Sequence, residues 1–196
     1  VSNLEAKAYR AQMNPHFIFN ALNSIQSLIS TRDTKKARYQ LAKFSKLMRQ
    51  ILDNSRVQMI SLEDEISTLE NYLAMERFSS GNQFEYTIND GGLEISEIEV
   101  PPMMLQPFAE NAIIHGMKHI EHTGHININF SIEESLLVCE IDDNGCGRKK
   151  AAENKSQIAQ QHKSAALVVT QERLEILHDN KRKNSLEIID KYEDDK

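Results

Sequence analysis

The chain has 196 residues, so by length it should form one large domain or two small ones. Hydrophobic residues make up 40% and charged residues 27%, which provides enough apolar material for a packed core and excludes intrinsic disorder. The formal net charge is −6 and no basic stripe stands out, so we expect no direct binding of nucleic acid. The two cysteines, Cys139 and Cys146, are expected to be free thiols.

The N-terminal part of the chain has the spacing of long helices. Apolar residues from Leu4 to Ile29 alternate steps of four and three, as in a coiled coil, and this seam includes Ile18, Leu22 and Ile25. Pro15 is expected to bend or open the helix. A second apolar seam runs from Ala37 to Ile51. A third helix is predicted to start at Ser61, as its N-cap, and to end before Ser79–Asn82, with an apolar seam of Leu62, Ile66, Leu69 and Leu73. Because two narrow seams cannot both be buried in one hairpin, we expect two copies to form a dimeric four-helix bundle.

After Gln83 the pattern changes to that of an α+β domain. We therefore place a boundary near residue 80, with a helical dimerisation domain in residues 1–79 and a second domain in residues 80–196. The elements predicted there are a strand (Phe84–Ile88), a turn (Asn89–Gly92), a helix (Ala109–Lys118), a hairpin (His125–Ile132 with Leu136–Asp142), a loop (Arg148–Lys163), a helix (Ala165–Leu177) and a strand (Leu186–Ile189).

The segment Asp143-Asn144-Gly145-Cys146-Gly147 directly follows a predicted strand. Gly145 and Gly147 would let the backbone turn sharply and approach a flat ligand closely. The Asp143 carboxylate could accept a hydrogen bond from an exocyclic amine, a charge-assisted bond that contributes about 1.5–3 kcal/mol. Taken alone, the pattern fits an ordinary turn equally well.

A second segment with polar chemistry runs from Glu110 to Gly116. On a helix, Asn111 and His115 stand four residues apart on one face. The Asn111 amide oxygen, beside Glu110, suits Mg²⁺ when phosphates supply the remaining oxygen ligands. A helix with a polar edge explains the same residues without any ligand.

The third segment is Asn14–Asn20, in which His16 follows a proline. His16 lies beside the apolar seam, so its imidazole is expected to face outward from the bundle. No charged residue occurs from Ala11 to Thr31, which suggests a docking surface kept free of charge. An exposed neutral imidazole can act as a nucleophile near neutral pH, although an ordinary surface histidine is the alternative.

Four histidines with spacings of four, three and three raise the possibility of a zinc site, namely His115, His119, His122 and His125. No cysteine joins the cluster, and Gly124 interrupts the helix before its last member. We therefore favour an ordinary polar surface over a metal site.

Together and in this order, the three segments resemble the bacterial sensor histidine kinases of the LytS/YehU type. The family's phosphoacceptor box is similar to Gln12–Asn23, and its two nucleotide boxes are similar to Glu110–Gly116 and Asp143–Gly147. The resemblance continues through Leu62–Arg77 and Pro101–Pro107, and so it spans nearly the whole chain.

This resemblance implies a kinase of two parts, and it implies a specific fold for the second part, which the spacing of apolar residues does not predict. Residues 80–196 would form a Bergerat-type α/β sandwich, a mixed sheet with helices on one face, as in DNA gyrase and other GHKL ATPases. His16 would accept a phosphoryl group from ATP, with Glu110 assigned to catalysis and Asn111 to Mg²⁺. Asp143 would bind the adenine amino group, and Arg148–Lys163 would be a lid. The remaining ATP-binding residues would be His115, Gly145, Gly147 and Ala166.

The resemblance also implies partners and a location. The kinase would be a homodimer, and its phosphohistidine would pass the phosphoryl group to an aspartate of a response regulator, usually one with a LytTR DNA-binding domain. Because Val1 falls mid-helix by the seam phase, we expect the cytoplasmic portion of a bacterial inner-membrane sensor kinase, attached through a region upstream. The sheet is also expected to be truncated at its C-terminal edge.

Two departures from the family pattern leave an alternative open. The family usually has lysine at the position of Ile114 and glycine at that of Ala166, in the run Ser164–Leu167. Both positions would face phosphates, so a degenerate kinase that acts as a dimeric signalling scaffold is the main alternative. A third interpretation, an ATPase without histidine transfer, leaves the box around His16 without a use.

Overall fold

The computed structural model describes residues 15–117, 120, 122–146, 187 and 189. Its architecture is α+β, with long helices first and a mixed sheet after residue 80, as the sequence predicts. In chain order the elements are α1 (Pro15–Ser30), α2 (Thr34–Asn54), β1 (Ile60–Ser61), α3 (Leu62–Ser79), β2 (Phe84–Asn89), β3 (Glu99–Val100), α4 (Gln106–Asn111), a π-helical turn (Ala112–Gly116), β4 (Gly124–Glu133) and β5 (Leu136–Asp143).

Within the single chain, helix α1 buries one residue of the predicted seam and two residues outside it, and the burial of the seam against a second copy stays a prediction. Phe17, Ala21 and Ile25 are buried, each four residues after the last, whereas Leu22 is 41% exposed and Ile29 58% exposed. The reason is that α1 packs against both α2 and α3, and two neighbours need a broader apolar stripe than a coiled-coil partner does. The predicted bend at Pro15 depends on residues before it, which lie outside the described residues.

Helix α3 is the central element of the described fold. Ser61 caps it as predicted, because the Ser61 hydroxyl accepts a hydrogen bond from the Asp64 amide at 3.1 Å. Residues around most of its circumference are buried because it contacts α1 and α2 as well as β2 and α4. The buried residues include the predicted seam of Leu62, Ile66, Leu69 and Leu73, together with Glu65, Thr68, Tyr72 and Met75.

The larger sheet has the strand order β2-β4-β5 and is mixed. Strand β2 pairs with β4 in parallel, with Phe84 opposite Gly124, and β4 pairs with β5 in the antiparallel sense. The predicted hairpin is confirmed, and its turn places Glu134 and Ser135 at positive φ, as a two-residue hairpin loop favours. A small second sheet pairs Ile60 with Val100, and its two-residue strands were too short to predict.

The helix predicted over Ala109–Lys118 has different bounds in the structure. It begins at Gln106, because Pro107 fits the first turn of a helix, where its missing N–H needs no partner. After Asn111 the backbone widens into the π-helical turn, a rare conformation that is frequent at functional sites. Lys118 lies outside the described residues, as do the loop and helix predicted between residues 148 and 177.

One cluster of buried apolar side chains includes residues from both sides of the predicted boundary. It joins Leu47 and Tyr72 of the helical part to Phe84, Ile126 and Ile128 of the sheet. The core therefore fixes α3 against the sheet, and the division into two domains stays a prediction. Among the helices in the described part, none combines the length and the apolar character that a membrane span requires.

Candidate functional site

His16 lies on the first turn of α1 and is exposed, as predicted from its place beside the seam. Its neighbour Phe17 faces inward, where the Phe17 ring lies 5.0 Å from the Tyr72 ring and 6.4 Å from the Phe44 ring. Successive residues of a helix point about 100° apart, so the burial of Phe17 turns His16 toward the surface. The packing of one aromatic side chain thus sets the direction of the imidazole.

Asn20 lies one helical turn after His16 and packs against its ring. The Asn20 Nδ2 atom is 3.1 Å from His16 Nδ1 and 3.5 Å from His16 Nε2. An atom this near to both ring nitrogens must lie over the ring, because a bond along either in-plane lone pair would leave the other nitrogen much farther away. The amide therefore braces the ring and does not select one of its tautomers.

The two residues predicted to act at the phosphate end, Glu110 and Asn111, lie at the end of α4. Both are half-buried, while Ala109 and Ala112 beside them are buried in the core. The core thus holds one side of this segment and leaves the polar side chains at its edge. The side chain of His115, the third predicted residue, lies outside the described atoms.

Glu110 lies near the phenol of the buried Tyr72. Burial raises the pKa of Tyr72 well above its usual value of 10.0, and the carboxylates of Glu76 and Glu110 raise it further. The Tyr72 hydroxyl donates a hydrogen bond to Glu76 Oε1 at 3.3 Å. One tyrosine of α3 therefore contacts the aromatic residue next to His16 and lies within electrostatic range of Glu110.

The loop after β5 is held by its own aspartate. Asp143 Oδ1 accepts a hydrogen bond from the Gly145 amide at 2.9 Å, which closes a tight turn at the end of the strand. This bond fixes the direction of the half-buried carboxylate that was predicted to meet adenine.

Asn144 ties the same loop to the start of β4. Its backbone amide donates to the His125 carbonyl at 3.2 Å, and its side-chain oxygen accepts from the His125 amide at 2.6 Å. The Asn144 amide group also donates to the Thr123 carbonyl at 3.3 Å. The sequence motif contains this asparagine, but no anchoring role was predicted for it.

The two glycine-bearing segments meet where Gly116 faces Gly145. A Cβ atom on Gly116 would lie 2.7 Å from Asp143 Oδ1 and 3.4 Å from the Gly145 Cα. The Cys146 amide donates to the Gly116 carbonyl at 3.1 Å and joins the two backbones. The structure therefore brings the segment that contains Asn111 against the loop that contains Asp143. Gly147 and Ala166 lie outside the described residues.

Magnesium prefers oxygen ligands, and the segment that leads to this junction carries two of them. The Asn111 amide and the Glu110 carboxylate are adjacent in sequence on α4, so their chemistry fits a cation that is also bound to phosphates. Within the described ranges, no group of three or more His, Cys, Asp or Glu side chains is placed to hold a metal ion. His119, a member of the histidine cluster, is not among those residues.

Comparison with known proteins identifies related sequences. Residues 4–84 match the family model for histidine kinases. The sensor protein LytS of Staphylococcus epidermidis is 34% identical over 149 residues, which are 75% of this chain and 24% of the relative. LytS of Staphylococcus saprophyticus is 35% identical over 147 residues (75% and 24%), and that of Streptococcus mutans is 36% identical over 145 (73% and 24%).

The chain spans about a quarter of the length of these LytS relatives. The matched family region contains His16, and the matches to LytS extend over about three quarters of the chain. The order of the histidine box and the two glycine-bearing segments agrees with this relationship. The chain therefore belongs to the sensor histidine kinases of the LytS type.

Proposed function

We propose that this chain is the kinase portion of a sensor histidine kinase, which uses ATP and Mg²⁺ to phosphorylate His16. The close approach of Gly116 to Gly145 carries the proposal, because it joins the Asn111 segment to the Asp143 loop at one place. An ATP molecule spans an adenine end and a phosphate end, and it needs both groups together. Membership of the histidine kinase family supports the same reaction.

The adenine end would be bound by Asp143. Its Oδ1 atom already accepts from Gly145, so the carboxylate is fixed before a ligand arrives. A fixed carboxylate loses little conformational entropy on binding an exocyclic amine. Gly145, with Gly147 beyond it, would allow the backbone to lie flat against the purine, and Ala166 would lie near the phosphates.

The phosphate end would be bound by the α4 segment. Asn111 would hold Mg²⁺, and Glu110 and His115 would line the site. When bound, Mg²⁺ neutralises phosphate charge and orients the phosphates for in-line transfer. Glu110 and Asn111 are half-buried at the edge of the core, which keeps them in place while leaving them accessible.

Transfer would use the exposed ring of His16. A lone pair on one imidazole nitrogen forms a bond to the γ-phosphorus, and the bond from that phosphorus to the bridging oxygen breaks. ADP leaves with the electron pair, and the proton on the other ring nitrogen passes to solvent. Asn20, which lies over the ring, restricts its rotation and so favours one angle of approach.

The active species would be a homodimer with a bundle of four helices. Large apolar side chains are exposed on both helices of the hairpin, among them Phe19, Leu22 and Ile29 on α1 and Leu41 and Leu52 on α2. An apolar surface of this kind on two adjoining helices is typical of an interface with a second copy. We further propose that residues 80 onward complete a Bergerat-type ATP-binding fold.

After autophosphorylation, the phosphoryl group of His16 would pass to an aspartate of a response regulator, in this family one with a LytTR domain. An exposed first helical turn, in a segment without charged residues, can be reached by a second protein. The reaction would take place in the cytoplasm, where ATP and the regulator are found.

The experiment that tests this proposal is autophosphorylation with γ-labelled ATP and Mg²⁺. The wild-type chain should acquire acid-labile, alkali-stable label, and His16→Gln should acquire none. His125→Gln is the matched control, because it removes another exposed histidine and should keep the label. Label that persists in His16→Gln would overturn the assignment of the acceptor, and failure of the wild type to bind an ATP analogue would overturn the kinase proposal.

A further inference from the structure

Helix α4 starts without a cap from its own sequence. Its N-cap position is Leu105, whose side chain makes no capping hydrogen bond. The carboxylate of Glu65 on α3 serves this turn instead, since its Oε1 accepts from the Leu105 amide at 3.1 Å and its Oε2 from the Met103 amide at 2.7 Å. A residue far away in sequence thus satisfies the amide of the N-cap residue, which in a capping box is satisfied by a glutamate or glutamine inside the same helix.

The Glu65 side chain is only 2% exposed, which is unusual for a glutamate. A buried carboxylate is tolerated when it is hydrogen-bonded, and bonds from amides to a charged carboxylate are stronger than bonds between neutral groups. Glu65 is therefore an anchor in the core and not a surface charge that happens to be covered.

The turn that Glu65 binds has an unfavourable backbone. Met103 has a φ of +59°, in the left-handed region that costs a residue with a Cβ about 1–2 kcal/mol. This conformation allows the amides of Met103 and Leu105 to converge on one carboxylate, as in an anion-binding nest. Glu65 compensates the strain and holds the turn in the shape from which α4 starts.

We propose that Glu65 is a positioning residue for the nucleotide site, and that it aligns Glu110 and Asn111 by fixing the start of α4. Helix α4 has only six residues before the π-helical turn, so the position of its first turn should affect where Glu110 and Asn111 point, together with the burial of Ala109 and Ala112. This inference rests on the proposed function, because alignment matters only if these residues face a nucleotide.

Helix α3, which carries Glu65, also packs against the segment that contains His16. Tyr72 of α3 packs against Phe17, the residue after His16, two turns after Glu65. Helix α3 thus holds both the segment with His16 and the start of α4. Loss of the Glu65 anchor should displace only α4, with Glu110 and Asn111.

The test is Glu65→Gln in the full chain, with Glu63→Gln as the matched control on the exposed side of α3. Glutamine keeps one acceptor oxygen but turns an NH₂ group toward the second amide, so one of the two bonds is lost. Amide exchange at Met103 and Leu105 should become at least about tenfold faster in Glu65→Gln and should not change in Glu63→Gln. If Glu65→Gln does not fold, Glu65→Asp gives the same comparison with the charge kept and the reach shortened.

The second measurement is calorimetric binding of Mg²⁺ with a non-hydrolysable ATP analogue. A displaced α4 should raise the Kd of every folded molecule by about tenfold, whereas a merely structural role would lower the number of binding sites and leave the Kd unchanged. An unchanged Kd, or unchanged amide exchange, would overturn the inference. If amide exchange is faster in Glu65→Gln but the wild-type chain binds no nucleotide, the anchoring role of Glu65 is confirmed and the proposed function is overturned instead.

Discussion

A Cβ atom built on Gly145 would collide with the Cα and carbonyl carbon of Gly116. The same atom would lie 2.6 Å from Asp143 Oδ1, the oxygen that accepts the Gly145 amide. The two glycines are therefore the contact through which the segment after α4 reaches the loop after β5. Neither backbone can move away easily, because the Cys146 amide is bonded to the Gly116 carbonyl.

We expect Gly145→Ala to push these two segments apart. The neighbours of the new methyl group are backbone and a hydrogen-bonded carboxylate, so the cost should be about 2–3 kcal/mol, within the range for overpacking. If the junction is the nucleotide site, affinity for an ATP analogue should fall as well. Urea unfolding and calorimetric titration measure the two effects.

Gly81→Ala is the control for Gly145→Ala, because a Cβ on Gly81 meets no atom within 4 Å. Its φ of +71° means that alanine there costs only the left-handed strain of about 1 kcal/mol. A loss of stability in Gly145→Ala no larger than that in Gly81→Ala would contradict the steric argument.

Helix positions could be predicted from the spacing of apolar residues, but their partners could not. The seam of α3 is buried as predicted, because that helix is covered on most sides. On α1 the single chain buries Ala21 and leaves Leu22 of the predicted seam partly exposed, so whether that seam packs against a second copy stays a prediction. Regularly spaced apolar residues show that one face of a helix will be buried. They do not show whether a helix of the same chain or a helix of a second copy buries it.

At the candidate site, the motifs located the polar side chains but not what holds them. Asp143 and Asn111 could be predicted because each belongs to a short sequence motif in which the residue type itself indicates the chemistry. The buried Glu65 looks like one more acidic residue in the first turn of a helix, where negative charge is common. Its partners are backbone amides of a turn far along the chain, and no local pattern reveals contacts between distant segments.

Phe17 and Phe19 should respond very differently to truncation. Phe17 is 3% exposed and packs on Tyr72, so Phe17→Ala should lower the free energy of unfolding by about 3–5 kcal/mol. Phe19 is 64% exposed, so Phe19→Ala should change the stability of the monomer by less than about 0.5 kcal/mol. Thermal and denaturant unfolding at low protein concentration measure both values.

Phe19→Ala also tests the proposed dimer. If the exposed face of α1 meets a second copy, Phe19→Ala should weaken self-association in sedimentation equilibrium, although it barely affects the monomer. Equal association constants for Phe19→Ala and the wild type would exclude this part of the face from the interface.

Removal of the Ser61 hydroxyl should destabilise α3 measurably. Ser61 accepts from the Asp64 amide and donates to the Asp64 carboxylate at 2.9 Å, so Ser61→Ala should cost about 1 kcal/mol. Ser45→Ala is the control, because Ser45 lies inside α2 and donates only to the Leu41 carbonyl of its own helix. There alanine should be neutral or slightly stabilising, and equal losses in the two variants would contradict a capping role.

Cys139 on β5 should be inert in the folded chain. Burial, with smaller contributions from Glu65 and Glu140, raises the pKa of its thiol from 9.0 to about 12. The reactive thiolate should therefore be about a thousandfold scarcer at pH 8 than in the unfolded chain, and iodoacetamide should modify Cys139 only in denaturant. As the pH rises, the thiol ionises in the unfolded chain before it ionises in the folded chain. The contribution of the buried thiol to the free energy of unfolding should therefore be fully present below pH 9.0 and decline as the pH rises toward about 12. Mass spectrometry after alkylation, with Cys139→Ala compared in unfolding at pH 8 and pH 10.5, measures both effects, and rapid alkylation of the native chain would show that the thiol is not protected.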